Sequence, residues 1–467
     1  MTTRRRFIGG AAALAAWPTG PGAAIPPRPP GRTGHILMDA ATGAVLDSSA
    51  ADDAFIPAST TKSATALVTL STLAPTTRFL TRVHGTGPLE GGTLGGDLIL
   101  VGGGDSALDT ADLAQLAKAL RAKGVRRVAG SFLVAGVDGP RADVLNPNQP
   151  LQANYNPAIG PLCLNFNRVL MRWRKGAGRR TLDAIAHADG RSIPAGSIGA
   201  RAGGNPYHSL VGSREVWTIP AQDMAQDGER WYPVRRPALY AAAVFRDLCA
   251  AEGIAMPEAR ETGALPTDAP LALHRSDVVF AQIKKMMRYS NNLSAEMLGI
   301  AAAQRIGATP LTVADAGAAT TGWLRDQGIV RGDAMLENHS GLSSNSRIAP
   351  RQMADILRAG HERYGSGFVG LHTQGKLRGS GAGLPPYTLR SKTGTMHFVR
   401  CLAGFLEVDG RMAIFAIFSV EDGRRAALDA AYAPYEDRRP PGARPWLRQA
   451  LDHENGLLKG WVSRRLR

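Results

Sequence analysis

A chain of 467 residues has room for two or three domains, and 44% apolar with 20% charged residues is ordinary for a globular protein. The formal charge of +16 suits an anionic partner such as membrane lipid or cell wall; no zinc knuckle, aromatic RNA-binding signature or basic repeat points to nucleic acid. The three cysteines, Cys163, Cys249 and Cys401, are widely spaced in apolar contexts, which argues against a disulfide framework or metal site and predicts buried small hydrophobes.

Residues 1 to about 24 read as a targeting segment outside the fold. Thr3-Arg4-Arg5-Arg6-Phe7-Ile8 matches a twin-arginine signal, Phe7 to Trp17 is an apolar run too short to anchor in a bilayer, and Gly22-Ala23-Ala24 supplies a small-residue cleavage site. This predicts a periplasmic protein exported already folded, with unpaired cysteines. A proline-rich lead-in, Pro26 to Pro30, precedes a hairpin whose arms are His35 to Asp39 and Ala44 to Asp47.

The hairpin delivers the chain to Ile56-Pro57-Ala58-Ser59-Thr60-Thr61-Lys62, the start of a predicted helix that continues through Ala64, Ala66, Leu67, Val68 and Leu70. Helix positions three apart share a face, so the Lys62 amine can reach the Ser59 hydroxyl. A serine is a poor nucleophile until a base removes its proton, and a lysine is such a base only when burial and positive neighbours lower its pKa.

From about residue 78 to 265 the texture turns to glycine clusters and short strands. The run Gly91 to Asp105 lacks both the dinucleotide fingerprint and the Lys-Ser/Thr of a P-loop, so it reads as tight turns between strands. Helices are predicted at Thr110 to Lys123 and Pro237 to Glu252, strands at Val128 to Val134 and after Pro161. Ser276 to Met297 reads as helix, break, helix, with Tyr289-Ser290-Asn291-Asn292 in the break; further helices are predicted at Val313 to Gly328 and Pro350 to Ala359. Thr388 to Lys392 is a strand leading into Ser391-Lys392-Thr393-Gly394-Thr395, and His397 to Val408 with Met412 to Val420 forms a hairpin of core strands. The basic, partly amphipathic tail Gly456 to Arg467 reads as a terminal helix; weak contact with an anionic membrane surface is the alternative. After the signal, no apolar stretch reaches the 18 or so residues that a span requires.

Ser-x-x-Lys at Ser59 and Lys62, Ser-x-Asn at Ser290 and Asn292, and Lys-Thr-Gly at Lys392, Thr393 and Gly394 occur in the order found in penicillin-binding proteins and serine β-lactamases. Two of only nine lysines fall at motif positions, where one of the 46 arginines could not do the same work. With Leu94-Gly95-Gly96-Asp97-Leu98, Gly102-Gly103-Gly104-Asp105, Tyr155-Asn156-Pro157, Leu164-Asn165-Phe166-Asn167 and Ser340-Gly341-Leu342-Ser343, the chain resembles the low-molecular-mass class C penicillin-binding proteins, the D-alanyl-D-alanine carboxypeptidase/endopeptidase family.

The resemblance implies an α/β (α+β) fold: a serine β-lactamase/transpeptidase-like domain with an antiparallel sheet flanked by helices, at 25–77 and 266–467, and inserted β-rich accessory domains at 78–265. It implies acyl transfer on peptidoglycan stem peptides through an ester on Ser59, with Lys62 as base. Ser290 and Lys392 would relay a proton to the leaving amine, and Asn292 would hold the substrate amide and Lys62. Backbone N–H groups of Ser59 and Thr395 would form the oxyanion hole. Thr393, Gly394 and Thr395 would form the substrate-binding strand, with the two threonines taking the terminal carboxylate. β-Lactams would act as covalent inhibitors, and no cofactor or metal is needed. Ser344 and Ser346 stand where the family loop carries arginine and asparagine, so the third stem residue is left open, with Arg347 as a substitute. A serine β-lactamase or esterase of the same fold, and a non-catalytic wall-binding protein, are the alternatives.

Overall fold

Strand Arg411–Val420 carries its side chains alternately into two cores. Ile414, Ala416, Phe418 and Val420 join one apolar cluster. Ala413, Phe415 and Ile417 join another on the opposite face. Strand Val399–Val408 does the same, with Cys401, Ala403 and Phe405 on the first face and Leu402, Leu406 and Val408 on the second. A sheet so patterned must be covered on both sides. The computed structural model describes residues 25–466 apart from 177–179, 189, 379–383 and 437–438. The segment read from the sequence as a twin-arginine signal therefore lies outside the described residues.

The central sheet has six strands in the order Thr373–Gly375, Tyr387–Met396, Val399–Val408, Arg411–Val420, Arg32–Asp39, Val45–Ser49. Every neighbouring pair is antiparallel. Helices Thr61–Thr72, Val279–Tyr289, Asn292–Arg305 and Pro350–Tyr364 cover one face. The long helix Ala443–Ser463 covers the other, placing Leu457, Leu458, Trp461 and Val462 against Leu37, Leu406 and Phe415. The apolar side of the tail thus packs on the sheet. The proline-rich lead-in lies along the same helix: Trp446 Nε1 donates to Pro30 O (2.9 Å) and His453 Nδ1 donates to Pro26 O (2.7 Å). This is the α/β architecture the motifs led us to expect.

Between Leu80 and Arg275 lie a five-stranded mixed sheet, a four-stranded antiparallel sheet and two three-stranded sheets. They share a core of their own with helices Thr110–Ala122 and Pro237–Ala251. The strand expected over Val128 to Val134 is two, Arg127–Val128 and Phe132–Gly136, in different sheets. This region touches the helices beside the central sheet: Ser106 Oγ donates to Ser294 Oγ (3.0 Å) and Asn146 Nδ2 to Leu342 O (2.9 Å). All three cysteines are free and buried. Among the described residues, no helix is long and apolar enough to cross a membrane.

Candidate active site

Strand Tyr387–Met396 pairs with Thr373–Gly375 only as far as Ser391. From Lys392 onward its outer edge meets the turn that carries Ser59. Gly394 makes this possible: a Cβ there would lie 2.9 Å from both Pro57 O and Ser59 N. Ser59 sits in a 3₁₀ turn, Ala58–Thr60, that opens helix Thr61–Thr72. Ala58 is held at φ +45°, a strained conformation for a residue with a side chain. Gly341 presses on the same turn at φ +72°, where a Cβ would fall 1.8 Å from Ala58 O.

Lys62 is fully buried. Its Nζ is 3.1 Å from Ser59 Oγ, 2.8 Å from Asn292 Oδ1 and 2.6 Å from Ser340 O. The last two are obligate acceptors. A neutral amine has two N–H bonds and one lone pair. With both N–H bonds given to Asn292 and Ser340, the lone pair faces the Ser59 hydroxyl. Burial, and then the Lys392 charge, hold the Lys62 pKa well below the usual lysine value, against an opposing pull from Glu296.

Lys392 donates from Nζ to Ser290 Oγ (2.9 Å) and to Thr393 O (2.9 Å). Burial, helped by the Arg400 charge, lowers its pKa to about 8. Ser290 closes helix Val279–Tyr289 in the left-handed conformation, φ +52°, and Asn292 opens the next helix. Asn292 also donates from Nδ2 to Tyr155 O (3.0 Å), which ties the motif to the region after residue 78. Arg400 Nη1 donates to Thr395 Oγ1 (3.1 Å), and Glu454 of the last helix grips the same guanidinium through two bonds of 2.7 Å.

A cleft of about 550 Å³ is lined by Ser59, Ser290, Asn292 and Thr395, with Tyr155 and Leu342 on its wall. The structure thus brings Ser59, Lys62, Ser290, Asn292, Lys392, Gly394 and Thr395 together. Thr393 offers its carbonyl to Lys392, and its side chain is exposed. Arg347 does not line the cleft; its guanidinium donates to Ser344 O and Ser346 O and braces its own loop. Among the described residues, no group of three or more His, Cys, Asp or Glu side chains could hold a metal ion. Sequence reasoning missed the Ser340 carbonyl, Arg400 and the buried Glu296. The first is a backbone atom and carries no sequence signal. Only the spacing of Glu296 from Asn292, one helical turn, could have drawn notice.

The chain is 25% identical over 476 residues to a D-alanyl-D-alanine carboxypeptidase of Actinomadura sp. (strain R39), covering 92% of this chain and 86% of the relative. It is 24% identical over 402 residues to the D-alanyl-D-alanine carboxypeptidase DacB of Haemophilus influenzae, covering 75% and 77%. In fold it matches the crystal structure of penicillin-binding protein 4 (dacB) from Haemophilus influenzae with a TM-score of 0.74 at 20% identity, covering 93% of this chain and 97% of that one. A second structure of that protein, in complex with a novel β-lactam, matches with a TM-score of 0.72. The profile of the D-Ala-D-Ala carboxypeptidase 3 (S13) family matches residues 26–434. With that match spanning most of the sequence and the three motifs converging on one cleft, the chain belongs to the D-Ala-D-Ala carboxypeptidase 3 (S13) family.

Proposed function

We propose that this serine peptidase cleaves the terminal D-Ala-D-Ala bond of peptidoglycan stem peptides through an ester on Ser59. The observation that carries the reading is the buried Lys62 Nζ, 3.1 Å from Ser59 Oγ and bonded to the acceptors Asn292 Oδ1 and Ser340 O. Lys62 takes the hydroxyl proton as Ser59 attacks the penultimate carbonyl. The oxyanion that forms lies between the backbone N–H groups of Ser59 and Thr395. Ser290, bonded to Lys392, passes a proton to the leaving D-alanine amine. Thr395 and the Lys392 cation take the terminal carboxylate, and Gly394 keeps the strand close to Ser59. Water then cleaves the ester, and an acceptor strand in place of free D-alanine gives endopeptidase action on cross-links.

A β-lactam presents the same carbonyl and carboxylate and leaves a slow ester. Glu296, the carboxylate whose charge acts on Lys62, is wholly buried and turned to backbone N–H groups, so it is not placed to activate water as in a β-lactamase. The test is intact-protein mass after mixing with benzylpenicillin. One adduct lasting for hours, absent in Ser59→Ala, is the expected result. Rapid drug turnover would favour the β-lactamase reading, and no adduct would favour the wall-binding one.

The reading also takes residues 78–265 as an accessory insertion and residues 1–24 as a twin-arginine signal to the periplasm. Cell fractionation that left the chain in the cytoplasm would overturn the second of these.

A further inference from the structure

Helix Asn292–Arg305 carries a stripe at positions 292, 296 and 299, spaced as neighbours along one helix face. Asn292 Oδ1 accepts from Lys62. One turn on, Glu296 has no exposed surface. Its Oε1 accepts from Ser340 N–H (2.8 Å), and its Oε2 accepts from His339 N–H (2.9 Å) and faces His339 Nδ1 at 3.3 Å. At the next position Gly299 leaves room for the His339 ring, which a Cβ would meet at 2.0 Å. The Thr65 hydroxyl, one turn beyond Lys62 on its own helix, donates to His339 O (2.7 Å). One buried carboxylate therefore holds the N–H groups of the two successive peptides that precede the Ser340 carbonyl, while the N–H of that carbonyl's own peptide, on Gly341, donates to Asn338 Oδ1 (2.9 Å). That carbonyl is the acceptor closest to Lys62 Nζ, at 2.6 Å.

We infer that Glu296 is a positioning residue for the general base: it fixes the Ser340 carbonyl, hence the direction of the Lys62 lone pair, and its charge sets the pH range in which Lys62 works. The inference rests on Lys62 being the base of the reaction proposed above. A base delivers its lone pair along one direction, and the amine rotates freely about its last carbon bond unless its N–H bonds are held. Asn292 and Glu296 lie one turn apart on a single rigid helix and hold both acceptors, the first directly and the second through Ser340. Charge acts separately from geometry. Lys392, on strand Tyr387–Met396, pushes Lys62 toward the neutral form, and Glu296 pulls the other way. From the loop His339 faces Glu296. From the end of the sheet His372 meets Ser63, the residue after Lys62, at 3.1 Å; burial holds that ring neutral near pH 7, with its pKa down at about 4.

The experiment compares Glu296→Gln with Glu296→Asp in the full chain. Two readouts are taken: the pH profile of benzylpenicillin acylation, and ¹³Cε-lysine NMR, in which nine lysines make the Lys62 signal assignable through Lys62→Arg. Glutamine removes the charge and cannot accept from both N–H groups, since its NH₂ end is a donor. The acid limb should move down by about one pH unit and the plateau rate should fall at least about tenfold. Aspartate keeps the charge but is one methylene shorter. Its limb should stay in place while its rate falls. The pre-covalent affinity for penicillin should hold in both, because neither touches the drug. A Lys62 titration that coincides in wild type and Glu296→Gln would overturn the electrostatic half. Wild-type acylation by Glu296→Asp would overturn the positioning half, and it does so even if the glutamine variant fails to fold. The NMR titration needs no substrate, so its outcome is separate from any failure of wild type to form the Ser59 ester.

Discussion

Acylation should fail on the alkaline side because of Lys392, and Arg400 should decide where. Lys392 is 3% exposed, and the fall of its pKa from 10.5 to about 8 corresponds to about 3 kcal/mol in favour of the neutral amine. At pH 7 it is still about nine-tenths protonated. In the proposed mechanism it then offers its positive charge to a substrate carboxylate and an N–H to Ser290. Above pH 8 the cation disappears by about tenfold per pH unit, and the second-order rate of acylation should follow it, since that constant reports groups of the free enzyme. Burial is the larger cause of the lowered value and the Arg400 charge the second. Arg400→Gln therefore leaves Lys392 buried but removes a positive neighbour, and the alkaline limb should move to higher pH. The assay is the rate of benzylpenicillin adduct formation from pH 6 to 10, in wild type and Arg400→Gln. A rate that stays flat to pH 9.5, or a limb that Arg400→Gln leaves in place, would refute the assignment.

Gly341→Ala should damage the nucleophile without touching it. The new Cβ would require φ +72° and would overlap Ala58 O, so about 1–3 kcal/mol of strain is the minimum and the Ser59 turn must shift. Thermal melting and acylation rate should fall together; wild-type acylation would show that the turn is less constrained than its geometry implies. His372 should limit acid stability. Its Nδ1–H donates to Phe368 O and its Nε2 accepts from Ser63, so the neutral ring is the one that fits. With 6.5 in the unfolded chain and about 4 when folded, the unfolded state takes up the proton first as pH falls. Stability is fully present above pH 6.5 and declines by up to about 3 kcal/mol toward pH 4. His372→Asn keeps an acceptor for Ser63 and should flatten that decline in denaturant titrations; an unchanged slope would place the acid sensitivity elsewhere.

The juxtaposition of Ser59 with Lys62 and the core strands were legible because each obeys a local rule. Ser59 and Lys62 are three apart where a 3₁₀ turn opens a helix, and the strands between Cys401 and Val420 alternate between two cores. What was not legible depended on contacts distant in sequence. Gly360 reads as a helix stop after Ala359, yet the helix runs on to Tyr364, because Gly360 gives way to the Phe368 ring, which a Cβ would meet at 2.3 Å. Gly456 reads as the start of a short tail helix. It lies inside a helix of 21 residues, where a Cβ would strike Pro26 at 2.3 Å. In both cases glycine marks close packing and not a break, and only the partner reveals which. Glu296 was hidden for the same reason: a lone glutamate in a helix is ordinarily a solvated surface residue, and nothing nearby in sequence says that it is buried under residues 339 and 340.

Burial and neighbouring positive charge lower both lysines, and the two do not share the same causes. Arg400 is secured by Glu454 and stays cationic at the outer end. It lowers Lys392 toward 8, which leaves that amine mostly charged and able to meet a carboxylate. Lys392 in turn lowers Lys62, which is more deeply buried and is held well below its usual value, chiefly by that burial. The order is set by depth: each cation displaces the next inward, and burial adds to the effect at every step. An arginine at position 62 would remain charged and give no base. An arginine at 392 would stay charged at every pH and remove the alkaline limit. The two lysines are therefore not interchangeable with the arginines that dominate this chain: one amine is fully enclosed against Asn292 and Ser340, and the other meets Ser290.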